Sequence, residues 1–344
     1  MRAEIAALGV ALGVASCLAA RPAAAFCRTT TCPLPASYSA SGGSCYPPNF
    51  ENFCATMKMP AKVLPLFWRN HCVSYDIHTD ANGQVSNQVS YEVASQIAAS
   101  SFSKWTLVEC PVGGGQGRVS IDVRDLGPVA CDEVNYNEDQ GNQHVIIFRD
   151  DGFTSTTDGG VVIEDPSNAN TLGLTTVTFD ADTGEIYDAD IQVNSSQSLA
   201  TGETVPSDGY DLQSILTHEA GHFLGLAHSA SSAATMYASY TPGSASKRIL
   251  SDDDIAGICT IYLPDGTRSV DNSVSPSGTL PETQCDATPR HGFQSACSSP
   301  QSHGCSVAPE EPSPVEAPLG IAIAAAAGSL LRRRRAREAG GWQG

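Results

Sequence analysis

Basic residues are scarce in this chain. Lys and Arg together number 19 against 37 Asp plus Glu, a formal net charge of −18. A surface of that sign repels phosphate, which argues against nucleic acid as a partner. Long apolar runs are missing too, since the most apolar stretches are Ile5 to Leu18 and Leu319 to Leu331. As a helix the second would rise about 20 Å, less than the roughly 30 Å of bilayer hydrocarbon, so a stable lone span is not expected. No internal repeat is found. What remains, 344 residues at 41% hydrophobic and 16% charged, is neither a disordered acidic tail nor a fibre and has room for one or two domains with extensions.

Residues 1–25 carry Arg2, an apolar stretch and then Ala23, Ala24 and Ala25, the pattern of a secretory signal with its cut before Phe26. A rival reading makes Val14, Ala15, Ser16 and Cys17 a lipobox with Cys17 lipidated. Export fits the 12 Cys, because oxidising compartments preserve disulfides. Outside the signal and the Cys305 tail they are Cys27, Cys32, Cys45, Cys54, Cys72, Cys110, Cys131, Cys259, Cys285 and Cys297, an even set whose pairing spacing alone does not give. Residues 26–66 read as a Cys- and Pro-rich extension, and 265–318 as a Ser- and Pro-rich linker holding a small Cys285 and Cys297 loop. The last segment, 319–344, sets an apolar run before Arg332 to Arg335, an arrangement that suggests transient membrane attachment and processing.

Between these, residues 67–264 carry the periodic patterns. Alternation over His71 to His78 predicts a half-buried strand, and Val85, Val89, Val93 and Ile97 predict one amphipathic helix closed by Phe102 and Trp105. Strands are expected at Arg118–Val123 and His144–Phe148, and a hairpin at Thr175–Asp180 and Glu185–Val193. A helix capped by Asp208 or Asp211 follows, and another runs from Ser251 to Tyr262 with Asp252, Asp253 and Asp254 in its first turn.

The chemistry concentrates in His218, Glu219, Ala220, Gly221, His222 and on to Gly225 and His228. On a helix His218 and His222 share one face and can hold a single Zn²⁺. Gly225 lets the chain leave the helix through a left-handed conformation, so that His228 returns to the same ion. Three imidazoles leave one coordination place open, which a catalytic zinc needs and a structural zinc does not. The metal would make its water acidic and Glu219 would take the proton as general base, which predicts hydrolysis of peptide bonds in proteins without a covalent intermediate. The competing class is a cell-surface adhesive or structural protein with a non-catalytic zinc site.

The segment His218 to His228, with Ala234, Thr235, Met236 and Tyr237 after it, resembles the zinc signature and Met-turn of the metzincins. Among these it is most similar to the matrixins, through Gly225, Leu226, Ala227, His228 and Ser229, and through Leu250, Ser251, Asp253, Asp254, Ile255, Gly257, Ile258 and Tyr262 in the last helix. The likeness reaches upstream, more diffusely, to about Trp68. It implies an α+β fold: a twisted mixed sheet, mostly parallel, packed with helices, in which the zinc-site helix is followed by the Met-turn and a C-terminal helix. It implies ligands His218, His222 and His228, base Glu219, Met236 as an apolar floor and Tyr240 as a wall of the pocket next to the scissile bond. The matrixin Pro of that wall is Ala238 here. Peptide is expected along an edge strand, with Leu172, Gly173 and Leu174 as backbone contacts. The C-terminal tail with Gly304, Cys305 and Ser306 is similar to the Cys-containing tails of myxobacterial surface proteins. An exported or surface-anchored enzyme acting on protein substrates is thus expected, without an oligomer.

Two family features are missing: no Pro-Arg-Cys-Gly switch precedes the domain, and no His-containing loop for a second zinc lies between Arg149 and Asp190. A free Cys45 or Cys54 would be one way to plug the zinc, with disulfide pairing the stronger expectation. The missing loop is replaced by Asp150, Asp151, Asp158, Asp165, Asp180, Asp182, Glu185, Asp188 and Asp190, which reads either as a Ca²⁺ site or as ordinary turn chemistry.

Overall fold

A computed structural model describes residues 26–32, 54, 63–111, 117–134, 136–152, 154–157, 161–164, 171–270, 273–276, 285–294 and 342–343. The signal, Cys17, Cys45, Cys297, Cys305, Asp158, Asp165 and the apolar run 319–331 lie outside them. Among the described residues no helix is long and apolar enough to cross a membrane.

In chain order the elements that matter are β1 (Cys27–Arg28), β2 (Cys72–His78), α1 (Tyr91–Thr106), β3 (Asp122–Val129), β4 (Val145–Arg149), β5 (Gly173–Phe179) and β6 (Ile186–Asn194). Next come α2 (Leu212–Phe223), β7 (Leu226–Ala227), α3 (Asp252–Ile261), β8 (Thr267–Val270), β9 (Ser273–Pro276) and β10 (Trp342–Gln343). The main sheet has the order β10-β5-β6-β4-β2-β3. Pairings β3 to β2, β2 to β4 and β4 to β6 are parallel, while β5 runs antiparallel to β6 and β10 antiparallel to β5. A mixed sheet of this kind under a few helices is an α+β architecture.

Both α1 and α2 pack against the core of this sheet. Trp105 is fully buried and donates from Nε1 to the Thr217 carbonyl at 2.8 Å, locking α1 to α2. The helix begins at Tyr91 rather than at Val85. Ser86 Oγ accepts from the backbone N–H of Gln88 and Val89 at 3.2 and 3.0 Å, a local turn that competes with helix, and Ser90 caps the helix instead by accepting from Val93. Val85 and Val89 are still buried, so their spacing reported burial but not helix. The expected strand over Arg118–Val123 is also divided: Gly117–Arg118 pairs with Glu109–Cys110, and the sheet strand starts at Asp122.

β2 is buried on both faces, not one. Its polar face is covered by residues 285–294: Cys285 is bonded to Cys72, and Ser74 Oγ donates to the Ala287 carbonyl at 2.6 Å. Burial there pushes the Asp76 carboxyl up to about 6. Cys285 therefore does not close a loop with Cys297. The region after Asp265 is not all linker either, since β8 and β9 form a hairpin. Arg268 on β8 is fully buried and donates to the carbonyls of Trp68, Asn70 and Ser120. Further bridges join Cys32 to Cys54 and Cys110 to Cys259, and Cys27 and Cys131 are also disulfide-bonded. Cys54 is thus no plug for a metal. The extension does touch the functional end of the molecule, because β1 pairs antiparallel with β7.

Candidate metal centre

Helix α2 starts where Asp211 accepts from the backbone N–H of Ser214 at 2.9 Å, and the Asp211 rather than the Asp208 cap is used. Its far end is held by side chains from elsewhere. Trp68 Nε1 donates to Phe223 O at 2.8 Å and Tyr262 OH donates to Leu224 O at 2.9 Å, satisfying carbonyls that a helix C-terminus leaves open. The chain then turns at Gly225, whose φ is +94°. A Cβ there would lie 2.8 Å from the Leu66 carbonyl oxygen, so both the conformation and the space demand glycine.

This turn brings His228 back to the helix. The ring centres of His218, His222 and His228 are 4.8 to 5.2 Å apart, and one nitrogen from each lies within 4.8 Å of the others. Among the described residues this is the one group of three or more His, Cys, Asp or Glu placed to hold an ion. Orientation is fixed from behind. His218 Nδ1 donates to the Thr235 carbonyl at 2.7 Å and His222 Nδ1 to the Leu226 carbonyl at 2.8 Å, which leaves the Nε2 lone pairs of both rings facing the centre. His218 Nε2 is buried with no hydrogen-bond partner, the state expected of an atom built to ligate. Burial also holds His218 well below its ordinary pKa and His222 down at about 4, so the imidazoles are neutral, as ligands must be. The donor set fits Zn²⁺: three neutral imidazoles on one ion with a place to spare.

Glu219 is fully buried beside them. Its Oε2 accepts from Thr175 Oγ1 on β5 at 2.6 Å, whereas Oε1 has no hydrogen-bond partner. Burial pushes this carboxyl up to about 8, partly offset by the Thr175 bond; a divalent ion on the neighbouring imidazoles would draw it back to the ionised form that a base needs. Gly173 on the same strand abuts Glu219 so closely that a Cβ would overlap the carboxylate. Of the three residues expected as edge contacts, Leu172, Gly173 and Leu174, Gly173 lies directly above the site.

Met236 is buried beneath the helix, and a Cβ at Gly221 would overlap its sulfur. The turn that carries it is clamped by Asp254 of α3, whose carboxylate accepts from the backbone N–H of Thr235 at 2.8 Å and Met236 at 3.0 Å. Asp254 also completes a capping box with Ser251. Tyr240 packs edge-on against His218 at 5.4 Å between ring centres, and burial raises its hydroxyl well above the ordinary range. Like Thr175, Lys247 stands at the site without a sign of it in the sequence. Its ammonium donates to the carbonyls of Thr235 and Tyr237, sits 4.4 Å from the Tyr240 ring centre and is lowered by burial to about 8.

Among the described residues the Asp-rich run does not gather into one cluster. Asp180 caps its own hairpin by accepting from Asp182 and Thr183, Asp150 accepts from Asn87 and Ser195, and Asp190 accepts from Val145 inside the core. Asp188 is buried against His144 at 3.6 Å. Turn and core chemistry therefore occupy these carboxylates. If zinc is the ion that matters, melting of the chain lowered by EDTA is expected to recover with zinc alone; a requirement for added calcium would restore the calcium reading.

The mixed sheet under a few helices, with three histidines converging at the end of α2, is consistent with an α+β fold of metzincin type. Residues 151–263 match the family model described as matrixin. Over 62 residues, 18% of this chain and 17% of the other, it is 44% identical to metalloendoproteinase 1-MMP of Arabidopsis thaliana. It is 41% identical to human neutrophil collagenase over 83 residues, 24% of this chain and 17% of that protein. With metalloendoproteinase 1 of Glycine max it shares 42% identity over 67 residues, 19% of this chain and 22% of that one. The matched parts thus amount to about a fifth of those relatives' lengths.

Proposed function

We propose that this protein is an exported zinc-dependent metalloendopeptidase that hydrolyses peptide bonds of proteins. The observation that carries the reading is a buried carboxylate oxygen, Glu219 Oε1, left without a partner beside three imidazoles that converge on one point. Zinc held by His218, His222 and His228 would supply Lewis acidity, making water acidic near neutral pH and polarising a peptide carbonyl.

The chain's own groups do the rest. Thr175 fixes Glu219 through Oε2, so Oε1 is the atom that accepts the proton of the attacking water and returns it to the departing amine. Met236 closes the floor against solvent, and Tyr240 walls one side of the site. The catalytic unit is assigned to 67–264, with the described residues of 26–66 and of 265–294 folded onto it. Secretion through residues 1–25 and processing of the tail 319–344 complete the proposal, and the disulfides suit an oxidising compartment.

The outer edge of β5, where a peptide would add as a strand, is paired with β10 at Leu174 and Thr175. A substrate lying there must first displace residues 342–343. Cleavage of casein by the purified chain is expected to stop with a chelator, return with zinc, and run faster once residues 319–344 are removed. No cleavage by zinc-loaded, tail-free protein would contradict the assignment.

A further inference from the structure

Next to the histidine triad lies a cavity of about 430 Å³, lined by Ser214 at the start of α2, by Ser239 and Tyr240 after the Met-turn, and by Ser244, Ser246 and Lys247. Tyr240 stands between it and the metal centre, touching His218 on one side and Lys247 on the other. Ala233, Ala234 and tyrosine rings give this cavity apolar wall, but serine hydroxyls and the Lys247 side chain line it as well, which a slot built only for an aliphatic side chain would not need.

Lys247 is only 8% exposed. Two of its three N–H donors go to the Thr235 and Tyr237 carbonyls. His218 Nδ1 is 3.4 Å away but itself donates to Thr235 O, so it cannot accept the third. Among the described residues no carboxylate lies within ion-pair distance of Lys247. Asp211, the carboxylate of the cavity wall, is already taken: Arg248 donates to it at 2.8 and 2.6 Å, and Ser214 caps onto it. Asp254 and Glu219 act on this ammonium only from beyond ion-pair distance. A buried cation with no carboxylate in direct contact is costly, and a carboxylate entering the cavity would supply that contact.

We propose that Lys247 makes this cavity the receptor for an acidic side chain, so that the enzyme selects Glu or Asp on a residue flanking the cleaved bond. The inference rests on the proteolytic reading above and names its substrate class. Lys247 acts as a specificity residue, while the bond-breaking groups stay the same.

The test uses the full zinc-loaded chain and peptides identical except for Glu, Gln or Leu at each position flanking the cut. At one of those positions Glu is expected to exceed Gln by at least about tenfold in kcat/KM, chiefly through a lower KM, equivalent to about 1.4 kcal/mol. Lys247→Met should bring the Glu-to-Gln ratio close to one, and Lys247→Arg should retain part of it. Binding of the Glu and Gln peptides to the Glu219→Gln chain should give the same order without turnover. Equal kcat/KM for Glu and Gln at both positions overturns the inference and leaves proteolysis standing. Failure to cleave any of these peptides or casein overturns the proteolytic reading, and this assignment with it. Should Lys247→Met fail to fold, the Glu and Gln comparison on the unaltered chain decides.

Discussion

Glu219→Gln is expected to abolish most turnover while leaving metal binding intact. The substitution keeps the side chain's volume, and its amide oxygen can still accept from Thr175 Oγ1, so β5 and α2 stay in register. What it removes is a basic oxygen at the atom that has no other partner, Oε1. Positioned general bases contribute about 10² to 10⁴ in rate, and a fall in kcat of that order is predicted with KM little changed. Zinc content should remain at the unaltered level, because Glu219 is not one of the three converging ligands. Peptide kinetics beside metal analysis of the same preparation checks both halves. A variant that cuts casein at the original rate would remove Glu219 from the chemistry.

Gly225→Val should have the largest effect on the fold and the metal together. At φ +94° a β-branched residue is strained, by about 1–3 kcal/mol, before any contact is counted. The new Cβ also meets the Leu66 carbonyl oxygen at 2.8 Å, and that oxygen accepts from Arg28 Nη2 at 3.0 Å, so it is not free to retreat. A loss of about 2–4 kcal/mol is expected, which for a domain of this size lowers the melting temperature by roughly 5–15 °C. The turn also sets where Leu226 O and His228 stand, so zinc should be lost from the folded fraction as well. Calorimetry and zinc titration of this variant measure the two effects separately. Unchanged melting and full zinc occupancy would mean that the helix exit does not build the site.

The reach of the sequence is clearest around α2. His218 and His222 at a spacing of four, with Gly225 before His228, are local signals, and local geometry converts them directly into a shared face and a return turn. A cap at Asp208 or Asp211 and another at Ser251 are legible for the same reason, and the structure uses Asp211 and Ser251. Thr175 was not legible as a partner of Glu219, since 44 residues separate them and the contact depends on how β5 lies over the helix. Lys247 is not legible either, because a Lys-Arg pair after Ser244, Ala245 and Ser246 reads as surface; only the fold of the loop after Met236 buries it against Tyr240. Arg268 misled in the same way, its Ser- and Thr-rich setting suggesting linker where the chain places a buried guanidinium that ties β8 to the Trp68 segment. Alternation in β2 predicted one wet face, and the Cys72 to Cys285 bridge brings in the segment that covers it.

X-ray absorption at the zinc edge on the purified, active chain goes straight to the arrangement on which the rest depends. Three imidazole nitrogens at about 2.0–2.1 Å and one light oxygen scatterer exchangeable with solvent are predicted. A sulfur shell near 2.3 Å, a fourth protein ligand that does not exchange, or a chain that takes up no zinc would contradict it.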